Sequence, residues 1–340
     1  MSCYINQVPA LRRLADVYRQ MLLLAVPAIL AGCQGADSLA PNAISDAGDP
    51  SAPSAAPTTV QPAADLIPGL SPRIAFSAIT SNGSTDIWTM GSAGGSPTSL
   101  TSFPEIEFGA SWSYNHKRIA HARLRGGAPD IFLVNADGTN KRWARSTTYS
   151  GGTIDSPSWS PDGTHLLVRL IFQGAPCVAK LDLATENMTL LAPAGVFALE
   201  ANDPIYDPTG KTIFYVDRTL KTIKRFAPGG AVTTVLTSTN YLGQLAISPD
   251  GTRLAYYSGV NATNNSEIFL YNLVTKVAKR LTYNSASDGD PTWSPDGSKL
   301  VFASSRTGKM QIWSMNSSTG GNLVQITNRT YGAYAPAWAN

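Results

Sequence analysis

The chain has 340 residues, 14% of them charged and 43% hydrophobic, with a formal net charge of +3. The length allows one or two ordinary domains. The near-balanced charge, with no Lys/Arg cluster, excludes the basic surface by which nucleic-acid binders displace counterions from phosphates.

At the start, Arg12, Arg13 and Arg19 precede an apolar run from Met21 to Leu30, followed by Ala31-Gly32-Cys33. That order predicts a cleaved signal peptide over residues 1-32. The run is about half the roughly 20 residues needed to span a bilayer. Leu30-Ala31-Gly32-Cys33 resembles the bacterial lipobox, so Cys33 is the expected lipidation site, with Met21 as an alternative start. Gln34 follows the cysteine, where an aspartate would suggest inner-membrane retention. The expected location is the outer membrane facing the periplasm, or the cell surface, with membrane contact through the lipid only. Loss of Arg12, Arg13, Arg19 and Asp16 brings the net charge to +1. Cys177 is then the one cysteine expected to remain as a thiol, with no second one for a disulfide, and it reads as a small buried hydrophobe.

From Gln34 to about Leu70 the chain is rich in Ala, Pro, Ser, Gly and Asp and has no hydrophobic period. Residues 33-70 therefore read as a lipidated cysteine and a disordered tether. Its flexible-chain span would be on the order of 30-35 Å.

Residues 71-340 repeat. Trp159-Ser160-Pro161-Asp162-Gly163 and Trp293-Ser294-Pro295-Asp296-Gly297 are the clearest units, with looser copies led by Trp112, Tyr206 and Ile247 and a last mark at Trp338. The marks at 112, 159, 206, 247, 293 and 338 are 41 to 47 residues apart, the period of four-stranded propeller blades. Pro-Asp-Gly supplies a tight turn: Pro presets φ, Asp bonds nearby backbone and Gly takes positive φ. A β-rich segment follows each turn, such as Arg118 to Leu124 and Lys299 to Ser304, then a third strand and a fourth that often closes on Leu or Ile followed by Thr. Residues 73-101 hold the second to fourth strands of a blade, and the chain ends on a lone first strand around Ala335 to Trp338. Joining them predicts an all-β, six-bladed propeller whose C-terminal strand completes the N-terminal blade and removes an exposed sheet edge.

The segment 291-306, Pro-Thr-Trp-Ser-Pro-Asp-Gly-Ser-Lys-Leu-Val-Phe-Ala-Ser-Ser-Arg, followed by Gln-Ile-Trp-Ser-Met, resembles the PD40 (WD40-like) repeat of TolB-type propellers. The family's namesake has an α/β domain before its propeller, where this sequence reads as tether. The resemblance therefore implies the propeller and not the namesake's role with the Tol envelope machinery.

In such a ring, the loops between blades share a face with the loops between second and third strands, and function tends to sit there. Asp155, Asp203, Asp288 and Asp290 precede the tryptophan positions and are expected at the channel mouth, with Phe108, Tyr241 and Tyr334. An acidic entrance could draw in a basic segment or a divalent cation through oxygen ligands. The competing reading is that these aspartates cap turns. Further loop aromatics are Phe103, Tyr149, Tyr283 and Tyr331, as interface anchors or blade packing.

Enzymes of this propeller type rely on features that are not found. There is no Gly-x-Ser-x-Gly elbow, and no hydrolase domain is expected after the propeller. The three histidines, His116, His121 and His165, are not expected to converge as a lyase-type metal site would require. The expected function is non-enzymatic and cofactor-free: a monomeric envelope lipoprotein that binds a protein or peptide. The alternatives are a carbohydrate- or cell-wall-binding propeller, and a polysaccharide lyase or hydrolase with a loop-built site.

Overall fold

A computed structural model describes residues 73-146, 152-172, 174-191, 201-259 and 265-339. The segments expected to be a signal peptide and a tether, with Cys33, and Tyr149 lie outside them. Every regular element among the described residues is a strand, and the strands form six four-stranded antiparallel sheets.

Blade 1 combines Ala333–Trp338 with Arg73–Ile79, Thr85–Gly91 and Thr98–Ser99. The ring is thus closed by the C-terminal strand, as the repeat arithmetic required. Blades 2 to 6 begin on Glu107–Trp112, Ile154–Trp159, Ala201–Tyr206, Leu242–Ile247 and Asp288–Trp293. These first strands run in order around the channel, each packed on the next, and Ala333–Trp338 packs on Glu107–Trp112.

The repeated turn does its work locally. In blade 3 the Ser160 hydroxyl donates to Asp162 Oδ1 (2.6 Å), which also accepts the Thr164 amide (3.0 Å), while Gly163 takes φ of 68°. These donors, led by Ser160, hold the Asp162 carboxyl down at about 2. Blades 5 and 6 repeat the arrangement around Asp250 and Asp296.

The tryptophans join the blades. Trp112, Trp159 and Trp293 are buried, and each indole N–H donates to a carbonyl on the first strand of the preceding blade: Ala337 (3.2 Å), Ser111 (3.0 Å) and Ala246 (3.1 Å). The arginine that opens the second strand of that preceding blade completes the joint. Arg118 stacks over Trp159 and Arg253 over Trp293, both 4.6 Å from the ring centroid, and each donates to the next blade's turn glycine carbonyl. An indole supplies both apolar area and one donor. That combination explains why Trp recurs here rather than Phe.

The Leu/Ile-Thr pairs that close fourth strands have a related purpose. Thr101, Thr282 and Thr327 accept the amides of Ile87, Ile268 and Ile312 and pass their hydroxyls to Glu107, Glu267 and Gln311. Cys177 is buried within blade 3, in keeping with its expected packing role.

Candidate functional site: the channel mouth

Each first strand carries a bulge where its pairing shifts register. At each bulge one residue takes positive φ: Gly109, Ser156, Asp203, Gln244, Asp290 and Ala335. All six stand three positions before the repeat mark. Bulges re-aim side chains and recur beside functional sites. Asp accepts the left-handed conformation better than most residues, and at two of the six places it makes the next joint. Asp203 accepts the Gln244 amide (3.2 Å) and Asp290 accepts the Ala335 amide (3.1 Å), each reaching the bulge of the following blade.

The four predicted aspartates do reach this region, but three of them arrive with arginine partners. Asp155 is 2% exposed, takes Arg169 Nε at 2.7 Å and binds the same guanidinium again through Nη2. Arg169 also donates to Asn202 of the next blade (3.1 Å). Asp203 receives Arg218 at 2.9 Å. Asp288, 0% exposed, accepts from Arg306 (2.8 Å) and from the Asn284 side-chain NH2 (2.7 Å). None of the three is a solvent-facing turn cap.

Asp290 has no ion-pair partner among the described residues. It keeps partial exposure, yet protein surrounds it, and burial lifts its carboxyl to about 6, with the Asp203 charge adding to the rise. The mouth is thus largely charge-compensated, with one carboxyl left over.

Tyrosines pack around that carboxyl. Tyr257 is so close to Gly243 that a Cβ there would lie 2.2 Å from its ring, and it meets Tyr241 edge-on at 6.3 Å. Burial raises the Tyr257 phenol, which lies within electrostatic reach of Arg218, Asp203 and Asp290. Tyr334, half-buried, is pushed up to about 12 by burial and also feels Asp290. Asp203, Asp290, Tyr241 and Tyr334 therefore share one side of the mouth. Phe108 stands half-buried on blade 2, and Asp155 is sealed beneath on blade 3.

Among the remaining aromatics, Tyr283 and Tyr331 are exposed, and Phe103 lies under the Arg123 guanidinium (3.5 Å) against Phe132. The histidines stay apart. His116 sits in a turn at φ 57°, and His165 bonds the Tyr206 hydroxyl at 2.8 Å. His121 is buried and held down at about 3 by desolvation.

Two features had no signal of their own in the sequence. Arg169 lies within a second strand, and Arg218 and Arg306 just past the ends of theirs, where residue type alone gives them no role. Arg169 is the cross-strand partner of Asp155, so the blade register would have exposed that pair. The other feature is buried Glu107, lifted to about 7 by burial, with His121 Nε2 3.8 Å from its free oxygen.

Chemically, the mouth offers phenol faces, one largely buried carboxyl without an ion pair and a paired guanidinium. Among the described residues no three His, Cys, Asp or Glu side chains are grouped to hold a metal ion. None of the described elements is a helix long and apolar enough to cross a membrane.

A six-bladed propeller with a bulged inner ring and a tyrosine-lined mouth is thus the class of protein in hand. The family description "TolB beta propeller domain" matches residues 66-226 and 204-340, and the chain belongs to that family. The uncharacterized protein Atu1656 of Agrobacterium fabrum is 30% identical over 186 residues, 54% of this chain and 61% of its own. The uncharacterized peptidase YuxL of Bacillus subtilis is 36% identical over 96 residues, 27% of this chain and 15% of its own. The Tol-Pal system protein TolB of Alcanivorax borkumensis is 38% identical over 82 residues, 24% and 19% respectively. The chain therefore spans less than two thirds of the length of these relatives. The crystal structure of TolB from Acinetobacter baumannii superposes with a TM-score of 0.69 at 22% identity, over 79% of this chain and 66% of that one, which is a likeness of fold.

Proposed function

We propose that this chain is a non-enzymatic envelope lipoprotein, anchored through Cys33, whose mouth face binds a protein or peptide partner. The observation that carries the reading is that three of the four mouth aspartates are already paired with arginines, while Tyr241, Tyr257 and Tyr334 line the remaining surface. Charge-compensated, aromatic surfaces suit protein contact, where rigid rings give large area at small entropy cost. Membership of the TolB propeller family supports a periplasmic binding role, and the short match to a Tol-Pal system protein points the same way. The match to YuxL stays within 15% of that peptidase's length.

Crosslinking of whole envelopes followed by capture of the full chain tests the binding. A specific protein should be recovered from wild type and reduced at least several-fold by Tyr241→Ala with Tyr334→Ala. Recovery of no protein, or of the same proteins from the double variant, would overturn the mouth as the site. Labelled-palmitate incorporation that persists in Cys33→Ser would overturn the anchor.

A further inference from the structure

Six arginines on the mouth face have carboxylate partners: Arg123 with Glu105, Arg125 with Asp130, Arg169 with Asp155, Arg218 with Asp203, Arg280 with Glu267 and Arg306 with Asp288. Arg329, on the loop from blade 6 to blade 1, has none among the described residues. Its guanidinium lies over the Trp88 ring, 3.9 Å from the centroid, and is partly exposed.

Blade 6 lacks both members of an ion pair that blade 5 carries at the same place in the repeat, and Arg329 stands where blade 5 has Asn284. In blade 5 the residue before Ile268 is Glu267, which takes the Thr282 hydroxyl, the Asn284 amide and the Arg280 guanidinium. In blade 6 Gln325 stands in the place of Arg280, bonding the Thr327 carbonyl as Arg280 bonds that of Thr282, and the residue before Ile312 is Gln311. Its Oε1 accepts the Thr327 hydroxyl and the Arg329 amide, both at 2.9 Å. The backbone latch survives the exchange, but the negative charge is gone.

Two clefts meet at Arg329. One is an open groove of about 920 Å³ along blade 6, lined by Lys309, Gln311, Gln325 and Asn328 among others. The other, about 360 Å³, reaches Trp88 and Tyr331, which is 51% exposed. Neither cleft has an Asp or Glu in its lining, and both include Arg329. Lys309, whose ammonium holds the Thr330 carbonyl (2.6 Å), is also without an ion pair among the described residues.

We propose that this groove takes an acidic stretch of a partner polypeptide, with a carboxylate forked on Arg329 and a second near Lys309. The inference rests on the reading that this face binds protein, and it adds the chemistry of what is bound. A stacked guanidinium is held flat with its N–H edges outward, the geometry that accepts a carboxylate through two parallel bonds. The groove's volume and its amide and hydroxyl walls suit an extended peptide, whose backbone groups need partners along their path. Trp88 and Tyr331 provide apolar contact at one end.

The test uses the full chain and a fluorescent octapeptide of alternating Glu and Gly, against its Gln/Gly counterpart, by anisotropy at low salt. The Glu peptide should bind at least about tenfold more tightly, the scale of one charge-assisted pair. Arg329→Gln should erase the preference, Arg329→Lys should restore part of it, and Lys309→Gln should reduce it about threefold. Lys276→Gln, on a third-to-fourth strand turn of blade 5, should change nothing. Equal binding of the two peptides by wild type, or a preference that persists in Arg329→Gln, overturns the proposal. If Arg329→Gln melts early, Lys309→Gln decides. Arg329-dependent binding to phosphatidylglycerol vesicles without any peptide preference would reassign the groove to lipid and also overturn it. Should envelope capture recover a partner that Arg329→Gln retains, the groove chemistry fails while the mouth reading stands.

Discussion

The rim of repeated turns and the channel mouth are opposite ends of the same strands, and they handle carboxylates in opposite ways. On the rim, Asp162, Asp250 and Asp296 are satisfied by a serine two residues before and an amide two residues after. At the mouth, Asp155, Asp203 and Asp288 are satisfied by arginines 14 to 18 residues away, and Asp203 by a neighbouring blade as well. A self-contained motif can be copied around the ring unchanged. A motif that needs distant partners is rebuilt blade by blade, and Asp290 and Arg329 are where the rebuilding leaves a charge without a partner.

The largest effect that would sharpen this contrast belongs to the repeated framework. Trp293→Ala should cost about 3-5 kcal/mol in urea unfolding, through lost packing and an orphaned Ala246 carbonyl. A loss below ~1 kcal/mol would mean that the blade 5 to blade 6 joint does not depend on the indole.

Next is the sealed pair beneath the mouth. Arg169→Met leaves Asp155 buried and uncompensated and should cost about 3 kcal/mol, whereas adding Asp155→Leu should recover most of it. If the double variant is no better than the single, the pair is not the unit that matters, and the mouth is less distinct from the rim than proposed.

The smallest effects concern pH. Glu107 at about 7 and Asp290 at about 6 both lie above ordinary carboxyl values in the fold, because burial favours their neutral forms. Their stabilising contribution is complete below pH ~4 and is lost as pH rises through 6 to 7. His121, held at about 3, acts in the opposite sense: its contribution fades as pH falls below its ordinary value near 6.5. The clean measurement is therefore a variant-minus-wild-type difference. Glu107→Gln and Asp290→Asn should each raise Tm at pH 8 and change it little at pH 4. A gain confined to pH 4 would reverse the assignment.

The blade count, the closing strand and the buried tryptophans were all legible in the sequence, since each rests on residues that recur at a fixed period. So was the gathering of Asp203, Asp290, Tyr241 and Tyr334, because the repeat mark fixes where a first strand begins. What could not be read was which charges cancel. Arg169 sits in an apolar run from Leu166 to Phe172, Arg306 looks like the last residue of a repeat unit, and Tyr257 follows Tyr256 on the opposite side of the same strand. Placing them needs the register of neighbouring strands. Gln311 was invisible for the opposite reason: it keeps the repeat's hydrogen bonds while dropping its charge.

The way the chain enters the ring has a mechanical consequence. Arg73–Ile79 is an interior strand, laddered to Thr85–Gly91 on one side and to Ala333–Trp338 on the other. Tension applied through the residues before Arg73 runs along that strand and loads both ladders in shear, so bonds on two sides share the force instead of parting one at a time. Whatever pulls on the N-terminal segment, the domain is gripped at a point where it resists being unravelled.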